Sequence, residues 1–291
     1  MGKCLTTHNS PKITRKATRS GLPILSDYFR ETWRFRVFAW RWSLADIKAR
    51  NFETFLGRVW HVINPLLFGL IYFIFVGILS GGGLDSISYL AAIVGNLYAW
   101  LFFSQIVTMA MGAVQSGPGG ILGQSAIPRI VVPIASTITS TNLFFRSLIA
   151  YAFMHIIAKR GLHIEMLLTP IIIILICMFG FGFALIFATL NVYVRDISRL
   201  IPHFLRLWLY LSPVIWEYTR VLGDSSLNQI ARLNPFYSGV TAWTISLGGT
   251  LDSDGPKIWE QIGVFSIWSV AVFFVGIFVF ISKEDEFAIR N

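Results

Sequence analysis

A glycine-rich stretch near the middle of the sequence ends in a hydroxyl residue, a combination that can bind phosphate. Residues 119–125 read GGILGQS. In a phosphate-binding loop the glycines bring backbone amides close to the ligand, and a lysine reaches the outer phosphates. Here Gln124 occupies the position before Ser125, where that lysine would be needed. We therefore predict that this chain is not itself an ATPase.

Carboxylates and histidines, which could transfer protons or hold a metal ion, are sparse. Proton-coupled transporters usually carry a carboxylate or histidine relay inside the membrane, but the 15 acidic residues all fall outside the middle of the apolar runs. His155 is the one candidate, and we interpret it as a packed side chain. Asp252 and Asp254, in a Ser/Gly-rich loop, are interpreted as a solvated turn. We predict no catalytic residue and no metal site, while sodium coupling through backbone carbonyls stays open.

The composition indicates a membrane protein. Hydrophobic residues make up 55% of the chain, charged residues only 13%, and the mean hydropathy is +0.64, whereas soluble domains carry about 25% charged residues. A membrane-spanning helix needs about 20 apolar residues. The sequence predicts an all-α integral membrane protein with six transmembrane helices, at about residues 59–79, 89–115, 130–158, 167–191, 200–218 and 259–282.

The distribution of lysine and arginine predicts the orientation. Basic residues crowd the segment before the first predicted span, and the loop at 81–88 has none. Because cytoplasmic flanks are enriched in these residues, and an even number of spans returns the chain to the same side, both termini are predicted to be cytoplasmic. The net charge of +9 indicates topology and affinity for anionic lipid rather than nucleic-acid binding.

The chain divides into three predicted regions. Residues 1–26 are expected to be a mobile basic cytoplasmic tail, residues 27–58 an amphipathic interfacial helix with a connector, and residues 59–291 the six-span domain. Between Asp27 and Arg50, apolar residues recur at helical spacing, with a basic stripe beside them. This pattern is typical of a helix in the membrane interface; packing against the rest of the protein is a compatible alternative. The apolar stripe comprises Phe29, Trp33, Val37, Trp40, Leu44 and Ile47, and the basic stripe Arg30, Arg34, Arg41 and Lys48, which we expect to attract lipid headgroups.

The segment from Glu217 to Glu260 is too long for a plain connector and too polar for a full span. Non-helical backbone at membrane depth is tolerated only against protein or a water-filled cavity. We therefore expect external re-entrant helices between the fifth and sixth spans, with a folded external cap as the alternative.

Polar and aromatic residues within the spans indicate a conduit. A charge at the centre of a membrane costs at least about 2.5 kcal/mol, so Arg146, with Asn142 one turn earlier, should face the protein interior or water. These two residues could touch an anionic headgroup or a partner across a helix interface. Aromatic faces stack on sugar rings, and aromatics make up 15% of the chain. The aromatic candidates for the channel lining are Tyr72, Phe73, Trp100, Phe103, Trp208 and Tyr210.

Four separated segments, in order along the chain, resemble one family. They are DIKARNFETFLGRVWHVINP at 46–65, IPRIVVP at 127–133, NVYVRDISRLIP at 191–202, and LSPVIW at 211–216 followed by LNPF at 233–236. This ordered set is similar to the ABC-2 type permeases that export polysaccharide and polyol phosphate. The chain departs from the family at Gly123 and Gln124, where lysine is frequent, and at Asn51, where tyrosine is common.

The resemblance implies a homodimer in a bacterial inner membrane that works with two copies of an ATP-binding subunit. That partner would bind the ATP and Mg²⁺, and this chain would hold no cofactor. The implied cargo is a glycan on a polyprenyl (pyro)phosphate, such as O-antigen, teichoic acid or a galactan-like polymer.

The resemblance also implies site residues. The loop between spans two and three would carry a coupling helix that docks on the ATPase, and the fifth span would lead into an external gate. The coupling positions are Ile121, Leu122, Ile127, Pro128, Arg129, Arg195 and Asp196; the gate positions are Pro213, Trp216, Asn234, Pro235 and Phe236.

Three other functions remain open at this point. An exporter of a small lipid or drug would belong to the same superfamily. A sodium-coupled secondary carrier would not need the coupling segment. A membrane-bound glycan transferase would form product without ATP.

Overall fold

The computed structural model describes residues 24–50, 59, 63, 66–71, 74, 87–116, 127–215, 233–248 and 257–287. Within these residues the regular structure is helical. The α-helices are α1 (Leu25–Arg34), α2 (Arg36–Arg50), α3 (Ile87–Ser116), α4 (Val131–Ile157), α5 (Thr169–Tyr193), α6 (Ile197–Leu211), α7 (Pro235–Ser246) and α8 (Ile258–Lys283). Short 3₁₀ turns precede α5 at Ile164–Leu168 and follow α8 at Glu284–Glu286.

Three stretches of the described chain are long and apolar enough to cross a membrane. They are Leu90–Val114, Ile164–Tyr193 and Ile258–Lys283, which match the second, fourth and sixth predicted spans. The predicted first span, 59–79, falls largely outside the described residues.

The other two predicted spans form helices that differ from the three apolar ones. With 27 residues, α4 is about 40 Å long, but hydroxyl-bearing residues make it less apolar. With 15 residues, α6 is about 22 Å long and ends at Leu211, before the predicted end at 218. It also begins five residues before Pro202, which lies inside the helix.

Glycine permits close contact between α5 and α8. A Cβ atom on Gly276 would lie 2.3 Å from the carbonyl oxygen of Gly182, and one on Gly182 would lie 2.5 Å from the oxygen of Val272. No side chain fits at such distances, so the two backbones meet directly at this crossing. Since α5 also packs extensively on α3, it lies at the centre of the described bundle.

Several serine and threonine hydroxyls of α4 donate to carbonyl groups of the same helix. Thr137 donates to the Pro133 carbonyl at 2.9 Å, and Thr139 donates to the Ala135 carbonyl at 3.1 Å. Ser147 donates to the Leu143 carbonyl in the same way. Because these bonds return to the preceding turn, α4 buries Thr137, Thr139 and Ser147 with their hydroxyls hydrogen-bonded.

The predicted interfacial helix is two helices. It begins at Leu25 rather than Asp27 and is interrupted at Phe35, whose backbone leaves the helical conformation (φ −88°, ψ 7°). Ala39 on α2 packs against Val131 and Ala135 of α4. One face of α2 is therefore fixed to the bundle. For that face, the alternative of packing against the rest of the protein is the one observed.

Candidate coupling and gating sites

The C-terminal end of α8 meets the N-terminal helix and the start of α4. The carboxylate of Glu284 accepts a hydrogen bond from the Tyr28 hydroxyl at 2.5 Å and another from the Arg129 backbone N–H at 2.6 Å. Burial, and after it the charge of Glu284, raise the pKa of the Tyr28 phenol far above its ordinary value, so the phenol keeps its proton. We call this contact the Glu284 junction.

The predicted coupling residues divide between described and undescribed chain. Ile121 and Leu122 lie outside the described residues. Ile127 is partly buried and packs against the cluster of Ala39, Val131 and Ala135, which joins α2 to α4. Pro128 is buried and Arg129 is partly exposed in the turn that starts α4.

Arg195 and Asp196 occupy the short turn between α5 and α6, and both are exposed. The carboxylate of Asp196 lies 3.8 Å from the guanidinium of Arg199, one helical turn onward, and the two side chains are 74% and 87% exposed. Asp196 therefore pairs with Arg199 rather than with Arg195. Such an exposed pair adds little to stability.

The basic stripe predicted for lipid headgroups lies on the protein surface. Arg30, Arg34, Arg41 and Lys48 are all exposed on α1 and α2. The apolar stripe beside them is also exposed, apart from Ile47, which is buried. The exposed apolar residues are Phe29, Trp33, Val37, Trp40 and Leu44.

Several predicted channel-lining aromatics are core residues instead. Trp100 and Phe103 are buried within the protomer, and Phe236 packs on both, with ring centroids 5.0 Å and 4.7 Å away. Trp208 is buried in the same cluster, 5.4 Å from Phe103. The sequence prediction placed these rings on a channel wall because their types suit sugars; the structure uses their faces for packing against one another.

Other predicted lining residues lie on the surface of the protomer. Arg146 is exposed on α4, and Tyr210 is 48% exposed on α6. Asn142 is partly exposed, and its amide donates to the Ile138 carbonyl of its own helix at 2.9 Å. Tyr72 and Phe73 lie outside the described residues.

Asn234 joins the end of α6 to the start of α7. Its side-chain oxygen accepts from the Trp208 indole N–H at 2.8 Å and from the Phe236 backbone N–H at 3.1 Å, which caps α7. Its amide nitrogen donates to the Ser212 hydroxyl at 2.8 Å and to the Leu211 carbonyl at 3.3 Å. We call this four-bond contact the Asn234 junction.

The described gate residues Pro213, Pro235 and Phe236 lie close to this junction in sequence. Pro235 is the first residue of α7, where its missing N–H is harmless. Pro213 is buried just after α6, and Phe236 is fully buried in the aromatic cluster. Trp216 lies outside the described residues.

Helix α7 runs from the Asn234 junction to the opposite end of the bundle from Glu284. Near its last turn the Ser246 hydroxyl accepts from Thr169, the first residue of α5. One turn earlier, the Trp243 indole N–H donates to the Gly95 carbonyl of α3 at 2.9 Å. Nine of the twelve residues of α7 are buried, so this short helix is held by protein along its length.

The comparisons with known proteins agree with the ordered motifs. The sequence model of the ABC-2 type transporter family matches residues 44–247, which is more than half of the chain. The chain belongs to the ABC-2 type transporter family.

Two curated proteins illustrate the similarity. An O-antigen export system permease protein RfbA from Klebsiella pneumoniae is 26% identical over 244 residues, covering 84% of this chain and 90% of that protein. An O-antigen export system permease protein RfbA from Myxococcus xanthus is 23% identical over 259 residues, covering 89% and 97%. This ABC-2 chain is thus a membrane transport subunit by family.

The Glu284 junction was missed by sequence reasoning. Glu284 and Tyr28 both lie outside the region that matches the ABC-2 family, and 256 positions separate them in sequence. Their types gave no signal, because a glutamate after a terminal helix is ordinarily a solvated charge. Only Arg129, within the predicted coupling motif, pointed to this place.

Proposed function

We propose that this ABC-2 chain is the transmembrane subunit of an ATP-driven exporter that moves a polyprenyl-(pyro)phosphate-linked polysaccharide across a bacterial inner membrane. The observation that carries the proposal is the similarity, over 84% and 89% of this chain, to permeases named for O-antigen export. The cargo is accordingly an O-antigen-like glycan on a lipid carrier. Two copies of the chain would work with two copies of an ATP-binding subunit that supplies the ATP and Mg²⁺ chemistry.

The segment between α3 and α4 would receive the motion of the ATPase. It enters α4 through Pro128 and Arg129, and this turn is tied to α8 through Glu284 and to α2 through Ile127. These contacts support the coupling role, because a push delivered here reaches three helices at once.

The exposed stripes of α1 and α2 fit a cytoplasmic headgroup-recruiting surface. Exposed aromatic residues can enter the membrane interface, while the neighbouring basic residues attract an anionic pyrophosphate. Arg36, whose guanidinium lies 5.1 Å from the centre of the Trp33 ring, adds a cation–π contact at the boundary between the two stripes.

The outer gate of the exporter would be built on α7 as a re-entrant helix. It is too short to span a membrane, it begins beside the end of α6 and it ends beside the start of α5. Its burial satisfies the requirement that backbone ending inside a membrane is surrounded by protein. In a homodimer, the wall between protomers would use residues that one protomer leaves exposed, such as Arg146 and Tyr210.

The function is tested by affinity purification of the tagged chain from its native membrane. We expect a Walker-type ATP-binding protein in near-equal amount, and its loss on Leu122→Asp. The matched control is Leu162→Asp, which makes the same change at an 89% exposed leucine in the loop before α5, at the end of the bundle opposite the Glu284 junction. Recovery of the intact dimer without any ATPase would contradict the proposal and favour a sodium-coupled carrier.

A second measurement addresses the cargo. In inner-membrane vesicles that hold the complex, a polyprenyl-linked glycan should move only when ATP is present. It should reach the leaflet that corresponds to the outer leaflet of the inner membrane in the cell. Movement driven by a sodium gradient without ATP, or transport of a small lipid in preference to the glycan, would contradict the assignment.

A further inference from the structure

The C-terminal segment after α8 is fixed at several points to the same end of the bundle. Besides the two bonds of Glu284, Glu286 accepts a hydrogen bond from the hydroxyl of Tyr193 at the end of α5. Lys283 Nζ lies 2.8 Å from the other carboxylate oxygen of Glu286. Phe287 is fully buried, its ring centroid 5.2 Å from that of Phe280. Glu284 therefore lies in a segment whose position is fixed by several contacts.

The two donors that bind Glu284 belong to separate parts of the chain. Tyr28 is on α1, two residues from Arg30 in the basic stripe. The Arg129 amide belongs to the turn where the segment from α3 joins α4. Because a charged acceptor makes short, strong hydrogen bonds, the carboxylate fixes both donors relative to α8.

Helix α1 depends on this contact more than α2 does. No residue of α1 is fully buried, and the break at Phe35 separates it from α2. In contrast, α2 buries Ala39, Ser43 and Ile47. The strong hydrogen bond from Tyr28 to Glu284 is therefore a major constraint on the position of α1.

We propose that Glu284 is a positioning residue that makes α1 and the start of α4 move as one unit, so that displacement of the coupling segment is passed to the headgroup-recruiting helix. The inference rests on the proposed function and adds to it a mechanical link through Tyr28 and Glu284, which both lie outside the region matched by the family. Glu284 acts through Tyr28 and the Arg129 backbone and does not itself touch the cargo.

The test uses the full complex with its ATPase subunit in anionic phospholipid vesicles containing a C55 polyprenyl pyrophosphate. The readout is the stimulation of ATP hydrolysis by this lipid. For Glu284→Gln and Tyr28→Phe we expect stimulation to fall roughly three- to tenfold, as befits the loss of a charge-assisted hydrogen bond. Basal hydrolysis and the amount of bound ATPase subunit should stay unchanged. Tyr28→Phe removes one oxygen atom, so it keeps the test valid if Glu284→Gln assembles poorly.

Two further variants separate positioning from general stability. The double variant Glu284→Gln with Tyr28→Phe should be no worse than Glu284→Gln alone, because both changes break the same contact. Glu260→Gln, an exposed glutamate in the first turn of the same helix α8, should behave like the wild type.

A direct measurement follows α1 itself. A spin label at Arg34→Cys, in a chain carrying Cys4→Ser and Cys177→Ala, should report a change in label-to-label distance across the dimer on trapping with ATP and vanadate. Glu284→Gln should abolish that change, while Glu260→Gln should keep it.

The outcomes are distinguishable. Wild-type-like stimulation and distance change in Glu284→Gln would overturn this inference and leave the proposed function intact. Independent, multiplicative losses in the double variant would overturn the link through Tyr28. Absence of stimulation by the lipid in the wild-type complex would overturn the proposed substrate, and with it this inference.

Discussion

The Asn234 and Glu284 junctions join helices by opposite means. Asn234 is a neutral amide that makes four hydrogen bonds beside buried aromatic rings. Glu284 is a carboxylate at a partly exposed end of the bundle, and it joins α1 to the start of α4. An amide can satisfy donors and acceptors together, here those of the buried residues Trp208, Ser212 and Phe236, without placing a charge beside them. A carboxylate holds its donors strongly, and the donors of Glu284, which belong to Tyr28 and Arg129, are only partly buried, so water can reach them after its replacement.

This difference predicts that one junction mainly supports stability and the other mainly supports coupling. Loss of the Asn234 junction should mainly affect stability, because its partners are left unsatisfied in the interior. Loss of the Glu284 junction should mainly affect coupling, because water can replace the lost partner while the position of α1 is no longer fixed.

The largest expected effect is that of Asn234→Ala. It removes the cap of α7 and leaves the Trp208 indole N–H without its acceptor, and should lower the free energy of unfolding by about 2–4 kcal/mol. Thermal unfolding in detergent measures the change. Asn142→Ala is the matched control, because among the described residues that amide bonds to the carbonyl of its own preceding turn alone. Equal effects of the two substitutions would show that the Asn234 junction has no special weight.

The close contact between α5 and α8 is tested at Gly276. Gly276→Ala places a methyl group 2.3 Å from the Gly182 oxygen, so α5 and α8 must separate. We expect destabilisation of about 1–3 kcal/mol, read from the same unfolding experiment. Gly263→Ala, on the same helix with open space around its Cβ, should be neutral or stabilising, since alanine favours helix. A neutral Gly276→Ala would contradict the direct backbone contact.

The smallest expected stability effect is that of Tyr28→Phe at the Glu284 junction. The free energy of unfolding should fall by about 1 kcal/mol, while lipid-stimulated ATP hydrolysis falls severalfold. Tyr98→Phe is the control, because the Tyr98 hydroxyl is buried and has no hydrogen-bond partner in the part of the chain described. That substitution should be neutral or stabilising. If Tyr28→Phe lowered the free energy of unfolding by more than about 3 kcal/mol, the Glu284 junction would be chiefly structural. The two junctions would then not differ in role.

The sequence predicted the long elements well where one physical property dominates. Continuous apolar runs gave the second, fourth and sixth spans to within two or three residues, because burying or lipid-exposing so many apolar side chains leaves few alternatives to helix. The ordered motifs also led to the ABC-2 family. The basic residues Arg30, Arg34, Arg41 and Lys48 are exposed, and their role at lipid headgroups stays a prediction.

Side-chain roles were harder to predict, and Trp100 and Phe103 show why. Their residue type fits both a sugar-facing channel wall and an apolar core. The periodicity of apolar residues does not distinguish these two environments, because both lie on the inner side of a helix. The structure encloses both rings in one aromatic cluster, which removes them from a channel wall in this conformation. The break at Phe35 was likewise invisible, because the helical pattern of apolar residues continues across it.

By itself, the sequence determined the membrane class, the helical content, the family and the surface on which the basic residues lie, since these follow from composition and local periodicity. Only the tertiary structure decided that Asn234 holds α6 against α7 and that Glu284 connects the first helix to the start of α4. Each junction joins groups far apart along the chain, and the hydrogen bonds that define them arise from how the helices pack, a relation that no local pattern encodes.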